Sequence, residues 1–138
     1  MKNYEVFEHT ADIGIRIKGK ELKDLFANAG LAIFDISSQK QFTRSKAHTE
    51  ITIKLKADNL EELFINWLNE LLSLSSAKGL IFHRIKIRNI EENSLYAIAV
   101  GSDIANYKVN TEIKAATFHQ FKLKQNETGW LAEVILDV

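Results

Sequence analysis

The spacing of apolar side chains changes from helical to strand-like along this chain, and that pattern restricts the folds it can form. Apolar residues recur at intervals of three and four in two segments, at about 21–35 and 58–76. This is the period of an amphipathic helix with one buried face. Elsewhere apolar and polar residues alternate, which is the period of a half-buried strand. The sequence therefore predicts two helices among many strands.

These segments predict about seven strands, at roughly 4–8, 13–18, 50–57, 81–88, 95–100, 111–124 and 130–137. The segment 95–100 is apolar on both faces, which is typical of a central strand. Short polar turns, such as the one at 125–129, join most of them. Short turns favour antiparallel neighbours, and the strand-rich second half excludes simple β-α-β winding. We therefore predict one α+β domain over residues 1–138, with a largely antiparallel sheet and both helices packed on one face.

Local signals set the expected limits of these elements. Asp58 and Glu61 have the spacing of a capping box and predict the start of the second helix at Asp58. Gly79 predicts its end. The polar segment 36–48 is expected to be a loop. The alternating run 111–124 is long for one strand, so we expect a bend near His119.

Composition excludes several functional classes. Eighteen Lys and Arg balance eighteen Asp and Glu, so no net field would hold the chain on a polyanion. The absence of cysteine excludes disulfides, Cys-ligated zinc, iron–sulfur clusters and a thiol nucleophile. The sequence has neither a signal-peptide pattern nor an apolar run of about 20 residues. We expect a soluble cytoplasmic protein without a membrane partner.

Known catalytic and nucleotide-binding motifs are missing from the sequence, so candidate residues must be weighed singly. The segment His9-Thr10-Ala11-Asp12 joins two strands, and we interpret it from the residues alone as ordinary turn chemistry. Asp137 precedes Val138, which brings a side-chain carboxylate beside the terminal one. Two such anions either bind a hard cation between them or belong to a frayed, hydrated terminus. Periodicity alone does not place Asp12 near Asp137.

Three further polar or aromatic residues are explained without a functional role. Lys114 lies on an apolar strand, so its ammonium group either extends to the sheet edge or meets a partner's anion; the first is favoured. Trp67 lies on the apolar face of the second helix, where core packing explains it. Glu70 on the same helix is interpreted as a solvated charge.

Four short motifs in a fixed order are more specific than any of these residues alone. They are His9-Thr10-Ala11-Asp12-Ile13-Gly14, Leu68-Asn69-Glu70-Leu71-Leu72, Lys114-Ala115-Ala116-Thr117-Phe118-His119 and Val134-Ile135-Leu136-Asp137-Val138. With these motifs the chain resembles the archease family over nearly its whole length. It departs from that family at Phe118, where a tyrosine is common, and in the segment 101–110.

The resemblance implies an accessory protein of the tRNA-splicing RNA ligase and not an enzyme. Such a protein promotes guanylylation of the ligase from GTP and lets the ligase turn over repeatedly. The resemblance also links the family to a tRNA cytosine methyltransferase as a second partner, and it leaves direct contact with tRNA open. By matching position, it implies a divalent-cation site, with Ca²⁺ favoured over Mg²⁺ or Mn²⁺, at Asp12, Asp137 and Val138.

Four more residues are expected to contact the partner or a phosphate group, and they are His9, Glu70, Lys114 and His119. Two other functional classes stay open. One is a free-standing hydrolase that depends on a divalent metal, with His9 or His119 as its base. The other is an interaction domain that binds no metal.

Overall fold

A computed structural model describes residues 2–9, 12–41 and 43–138, with only the backbone of residues 8 and 9. Its first half contains β1 (Tyr4–His9), β2 (Asp12–Gly19), α1 (Leu22–Ser37), β3 (Ser38–Lys40), β4 (His48–Lys56) and α2 (Leu60–Lys78). Its second half contains β5 (Leu80–Glu91), β6 (Ser94–Asp103), a 3-10 turn (Ile104–Asn106), β7 (Tyr107–Val109), β8 (Ala115–Asn126) and β9 (Gly129–Asp137). The predicted α+β class is confirmed.

The strands form three antiparallel sheets within the described residues. The four-stranded sheet has the order β1-β2-β9-β8, and the three-stranded sheet has the order β4-β6-β5. The two-stranded sheet pairs β3 with β7. These last two strands are three residues each, and they account for the difference from the seven strands predicted. Strands this short show too few alternations for periodicity to detect.

The two helices and the inner faces of the two larger sheets enclose the core. Helix α1 contacts β2 and β9 of the four-stranded sheet and β5 of the three-stranded sheet, while α2 contacts β8, β4 and β5. Side chains of both helices and both sheets form one cluster, with fully buried members that include Phe26, Phe64, Trp67, Ile15, Ile17 and Val134. The rings of Phe26 and Phe64 meet edge to face at 5.1 Å, which joins α1 to α2.

The start of α2 corrects one prediction. The N-cap is Asn59 and not Asp58, because Asn59 has the extended backbone of a cap and its side-chain oxygen accepts the Glu62 N–H at 2.8 Å. The sequence offered two acceptable caps in a row, and the capping box at Asp58 is not the one used. The end of α2 is as predicted, because Gly79 has the left-handed φ of +64° and its N–H donates to the Ser75 carbonyl.

Two strands contain irregularities that matter for function. The pairing of β8 with β9 passes from Thr117 opposite Ile135 to Lys122 opposite Glu133, so four residues of β8 face one of β9. This confirms the bend expected near His119. In β5, His83 is the extra residue between Phe82 opposite Gly101 and Arg84 opposite Val100. A bulge of this kind redirects side chains on the strand that contains it.

No helix within the described ranges, which leave out residues 1, 10, 11 and 42, is both long and apolar enough to cross a membrane.

Candidate functional site at one end of the four-stranded sheet

The central strands of the four-stranded sheet bring Asp12 and Asp137 together. Strands β2 and β9 are antiparallel, and their last paired residues are Ile13 and Leu136. Asp12 begins β2 and Asp137 ends β9, so the same register continued by one residue places them opposite each other. Directly opposed residues in antiparallel strands have Cβ atoms about 4.5–5.5 Å apart on one face. Strands β2 and β9 thus meet at one sheet end, which we call the tip (Asp12, Lys114, Asp137 and Val138).

The outer strands extend this row across the whole sheet. The backbone of His9 on β1 pairs with Asp12, and Ala115 on β8 pairs with Asp137. Of His9 only the backbone is described, so its predicted contact lies outside the described side chains. Thr10 and Ala11 of the same motif also lie outside the described residues.

The alternation of β2 and β9 sets the face on which the tip carboxylates lie. Ile15 and Ile17 on β2, with Val134 and Leu136 on β9, point into the core. Asp12 and Asp137 have the opposite parity and therefore lie on the face away from the helices. There the Asp137 side chain is exposed and that of Asp12 is half-buried.

The last two residues of the sequence are held in place by both backbone and side-chain contacts. The Lys114 N–H donates to the Asp137 carbonyl oxygen at 2.8 Å. Val138 is half-buried and packs against the core. These contacts contradict the frayed, hydrated terminus that the sequence left open. The Lys114 side chain is exposed beside them, as expected for a cation that extends to the sheet edge or to an anion.

Helix α2 fixes the neighbouring strand through a side chain that sequence reasoning did not identify. The Asn69 side-chain oxygen accepts the Ala116 N–H at 2.7 Å, and its Nδ2 donates to the Ala116 carbonyl at 3.1 Å. The amide thus pairs with β8 as a neighbouring strand would. The signal in the sequence was an asparagine in the middle of a helix, at the border of its apolar face, since asparagine has low helix propensity and competes for backbone hydrogen bonds. Glu70, the next residue, is half-buried.

The irregular segment of β8 separates His119 from the tip. Residues 118–121 lie between the two regular parts of the β8–β9 pairing, and Gln120 has a left-handed φ of +52°. Phe121 turns inward and packs on Phe64 with ring centroids 5.5 Å apart. Phe118 turns outward and is 57% exposed. His119 is exposed on this bulge, beyond the last regular pair at Thr117, so the structure places it outside the row of tip residues.

An ion-pair network occupies the same outer face further from the tip. The Arg16 guanidinium donates to Glu133 and Glu5, which come from the two strands that flank β2. Hydrogen bonding to Arg16 lowers the pKa of Glu133, against the opposing effect of burial, and Lys122 lies 3.9 Å from the same carboxylate. The carboxylates of this region are therefore compensated within the sheet.

The donor atoms of the tip suit a hard cation but form an incomplete set. Carboxylate oxygens are the ligands that Ca²⁺ and Mg²⁺ prefer, and Ca²⁺ takes about 6–8 of them. The Asp137 carbonyl accepts the Lys114 N–H. The other oxygen atoms of the tip belong to the side chains of Asp12 and Asp137 and to Val138. Within residues 2–9, 12–41 and 43–138, no three His, Cys, Asp or Glu side chains are grouped to hold a metal. The remaining ligands of a cation would come from water or from a partner.

The fold and this site define a class of protein: a small α+β domain that presents acidic and basic groups at one exposed end of an antiparallel sheet. The chain belongs to the archease family, because the family model described as Archease protein family (MTH1598/TM1083) matches residues 4–138. The resemblance seen in the four motifs is thus confirmed.

Individual relatives support the same assignment. The protein archease of Methanosarcina barkeri is 36% identical over 143 residues, which cover 99% of this chain and 97% of that one. The protein archease of Pyrococcus furiosus is 33% identical over 144 residues, with both chains covered completely. Neither name supports the hydrolase alternative.

Two solved structures share the fold. The solution structure of Methanobacterium thermoautotrophicum protein 1598 matches with a TM-score of 0.75 and 29% identity over the whole of both chains. The crystal structure of a Thermotoga maritima archease, described as a possible chaperone, matches with a TM-score of 0.66 and 25% identity over 96% of this chain and 94% of that one.

Proposed function

We propose that this chain is a non-catalytic accessory protein of the tRNA-splicing RNA ligase, and that it promotes metal-dependent guanylylation and multiple turnover of that enzyme. Membership of the archease family supports an accessory role. The observation that carries the proposal is the register of β2 and β9, which brings Asp12 opposite Asp137. The description of the Thermotoga maritima relative as a possible chaperone agrees with action on a partner protein.

The tip residues have complementary parts in this proposal. The carboxylates of Asp12 and Asp137, with an oxygen of Val138, supply a partial set of hard ligands whose open positions face outward. A divalent cation, with Ca²⁺ favoured and Mg²⁺ or Mn²⁺ as alternatives, would supply the positive charge that guanylylation needs to neutralise a triphosphate. An incomplete ligand set is suited to this task, because groups on the partner can complete it.

Lys114 and the bulge of β8 extend the proposed contact surface. The exposed Lys114 ammonium group can meet a phosphate as a point charge beside the Asp137 backbone that its own N–H holds. The exposed ring of Phe118 lies on the bulge of β8, four residues after Lys114. Aromatic side chains exposed beside charged groups are typical of protein–protein contact surfaces. The bulge thus supplies an apolar anchor next to the charged tip.

The test is ligation of tRNA halves by the cognate ligase under multiple-turnover conditions. Asp12→Asn and Asp137→Asn keep the side-chain shape and remove the charge, so both should abolish stimulation while leaving thermal unfolding nearly unchanged. Asp58→Asn is the matched control, because Asp58 is an exposed carboxylate near Gln125 and Trp130, at the opposite end of the four-stranded sheet. That variant should stimulate the ligase as the wild type does.

Two results would contradict the proposal. Full stimulation by both tip variants would exclude the metal-tip mechanism. Hydrolysis of phosphate esters by the isolated chain with Mg²⁺, Mn²⁺ or Ca²⁺ would point to the hydrolase class instead. The same variants assayed with a tRNA cytosine methyltransferase would tell whether the second partner uses the tip, and calorimetry with Ca²⁺ on wild type and Asp12→Asn would separate a cation-binding tip from a metal-free contact surface.

A further inference from the structure

Two histidines meet on the three-stranded sheet, away from the tip. His48 begins β4 and pairs with Ser102 on the central strand β6. Ile81 on β5 pairs with the same serine from the other side of β6. His83 is the extra residue of the β5 bulge, two positions after Ile81. The bulge interrupts the regular alternation of side chains between the two faces of β5, and the His83 ring lies beside His48.

The two rings approach through nitrogen atoms. His48 Nδ1 lies 3.2 Å from His83 Nε2, the ring centroids are 5.1 Å apart, and the ring planes are inclined at 76°. The Ser102 hydroxyl oxygen also lies 3.2 Å from His48 Nδ1. Ser102 is only 4% exposed, so the hydroxyl approaches His48 from within the sheet. Both imidazoles are exposed, which leaves their outer side open to solvent.

These distances agree with two imidazoles that converge on one point. Nitrogens bound at about 2.05 Å to one tetrahedral ion lie about 3.2–3.4 Å apart, and their ring centroids then lie about 5.0–5.2 Å apart. A straight N–H···N hydrogen bond at the same nitrogen separation would put the centroids about 5.5 Å apart. The observed centroid distance of 5.1 Å fits the convergent arrangement.

We propose that His48 and His83 form a binding site for a divalent transition-metal ion of the zinc class. Neutral imidazole is the ligand that Zn²⁺, Cu²⁺ and Ni²⁺ prefer, whereas the carboxylates of the tip suit Ca²⁺ and Mg²⁺. The two sites therefore differ in the ions that they select. The Ser102 hydroxyl approaches the same Nδ1 that would bind the ion, so His48 gives up this contact when the ion binds, and water completes the coordination. This inference does not depend on the proposed function.

The charges around the pair limit its affinity. Arg84 and Lys40 lie near the His83 ring and act on it electrostatically. The positive charges of Arg84 and Lys40 also oppose a dication, and only two protein nitrogens are present. The site is thus expected to bind Zn²⁺ reversibly and with moderate affinity, without a role in holding the fold together.

The test is calorimetric titration of the full chain with Zn²⁺ at neutral pH. The wild type should bind one Zn²⁺ per chain at the strongest site. His48→Gln and His83→Gln should each weaken that binding by at least about tenfold, since one of two nitrogen ligands is lost. The matched controls are His119→Gln, which removes another exposed histidine, and Asp58→Asn, which removes an exposed carboxylate outside the tip. Asp137→Asn is measured beside them to test the tip as an alternative Zn²⁺ site. The two controls isolate the His48–His83 pair. Both controls should bind Zn²⁺ as the wild type does.

Three results would overturn the inference. Equal Zn²⁺ binding by wild type and both His variants would show that the pair is not the site. Loss of binding in Asp137→Asn or His119→Gln instead would assign the ion to the tip or to the β8 bulge. Heat that appears only at a large excess of Zn²⁺ would indicate adventitious binding only. Thermal melts establish that each variant is folded, and the outcome for Zn²⁺ leaves the ligase test of the proposed function unchanged.

Discussion

Replacing Asn69 with alanine should destabilise the protein by about 2–3 kcal/mol, and the reason lies in the two hydrogen bonds that its amide makes to Ala116. Ala116 is only 5% exposed, and the Asn69 amide is the hydrogen-bond partner of both the N–H and the carbonyl of Ala116. The variant would leave a backbone donor and a backbone acceptor without these partners. The cost is therefore that of two unsatisfied groups and not merely that of one lost side-chain contact.

The magnitude follows from three contributions. Each buried polar group left without a partner costs about 1–3 kcal/mol. Asn69 is half-buried, so water can enter and recover part of this cost, which puts the sum near 3 kcal/mol. Alanine is a better helix former than asparagine, and in the middle of α2 this offsets about 0.6 kcal/mol. A net loss of about 2–3 kcal/mol remains.

Urea unfolding measures this loss directly. For a slope of about 2 kcal/mol per molar urea, the midpoint should fall by about 1–1.5 M. Asn28→Ala is the matched control, because Asn28 also lies within a helix but its Nδ2 makes a single hydrogen bond to a backbone group, the Lys18 carbonyl at 2.8 Å. It gains the same helix propensity, so its midpoint should change by less than half as much.

A result for Asn69→Ala within about 0.5 kcal/mol of the control would refute this reasoning, since it would mean that water replaces the amide without cost. Asn69→Ala should also affect the proposed function. Ala116 on β8 is two residues after Lys114, which directly precedes the strand, so release of the strand should reduce ligase stimulation even at temperatures where the protein stays folded. Unchanged stimulation would separate the stability of β8 from the proposed function of the tip.

Two other variants test the core and the outer face. Trp67→Phe should destabilise the protein by about 2–3 kcal/mol, because a fully buried indole is replaced by a smaller ring and its Nε1 hydrogen bond to the Phe26 carbonyl at 2.8 Å is lost. Tryptophan fluorescence should then come only from the half-exposed Trp130 and shift to longer wavelength. Glu133→Gln should flatten the acid side of the stability profile. Arg16 lowers the pKa of Glu133 in the folded state below its ordinary 4.5, so the unfolded state binds more protons and stability is lost as the pH falls from about that value. The test compares urea midpoints at about pH 6 and pH 3.5 in the variant and the wild type. If the difference between the two midpoints were the same in both proteins, this ion pair would have no effect.

Much of the fold could be predicted from periodicity because its signals are local. The apolar faces of the two helices, the stop at Gly79 and the alternation of the long strands depend on neighbouring residues alone. Even the bend near His119 followed from strand length, since a run of that length on an edge strand accumulates twist until pairing is interrupted. The long elements were therefore largely placed before any contact between them was known. Two bounds were wrong: β8 begins at Ala115 and not at 111, and the expected loop 36–48 contains the end of α1 and β3.

The elements that sequence reasoning missed depend on distant partners. Strands β3 and β7 are strands only because they pair with each other across about 70 residues of chain. The bulge at His83 exists because β5 must keep its pairing with β6 on both sides of one extra residue. The role of Asn69 needs the backbone of Ala116, which lies 47 residues away. No local sequence pattern contains this information, because the same residues would form different structure beside other partners.

The tip depends on the same kind of long-range pairing, and the core decides its geometry. Asp12 and Asp137 belong to the first and last parts of the sequence, and their opposition follows from the pairing of Ile15 with Val134 and of Ile13 with Leu136. A slip of one residue would move each set of side chains to the other face, burying the aspartates and exposing the core residues. That slip is prevented by the cost of exposing isoleucine, valine and leucine to water, at about 25 cal/mol per Å². The separation of the two carboxylates is therefore maintained by apolar side chains that never touch a cation, and substitutions at Ile15 or Val134 would alter the tip through register without changing any of its charged groups.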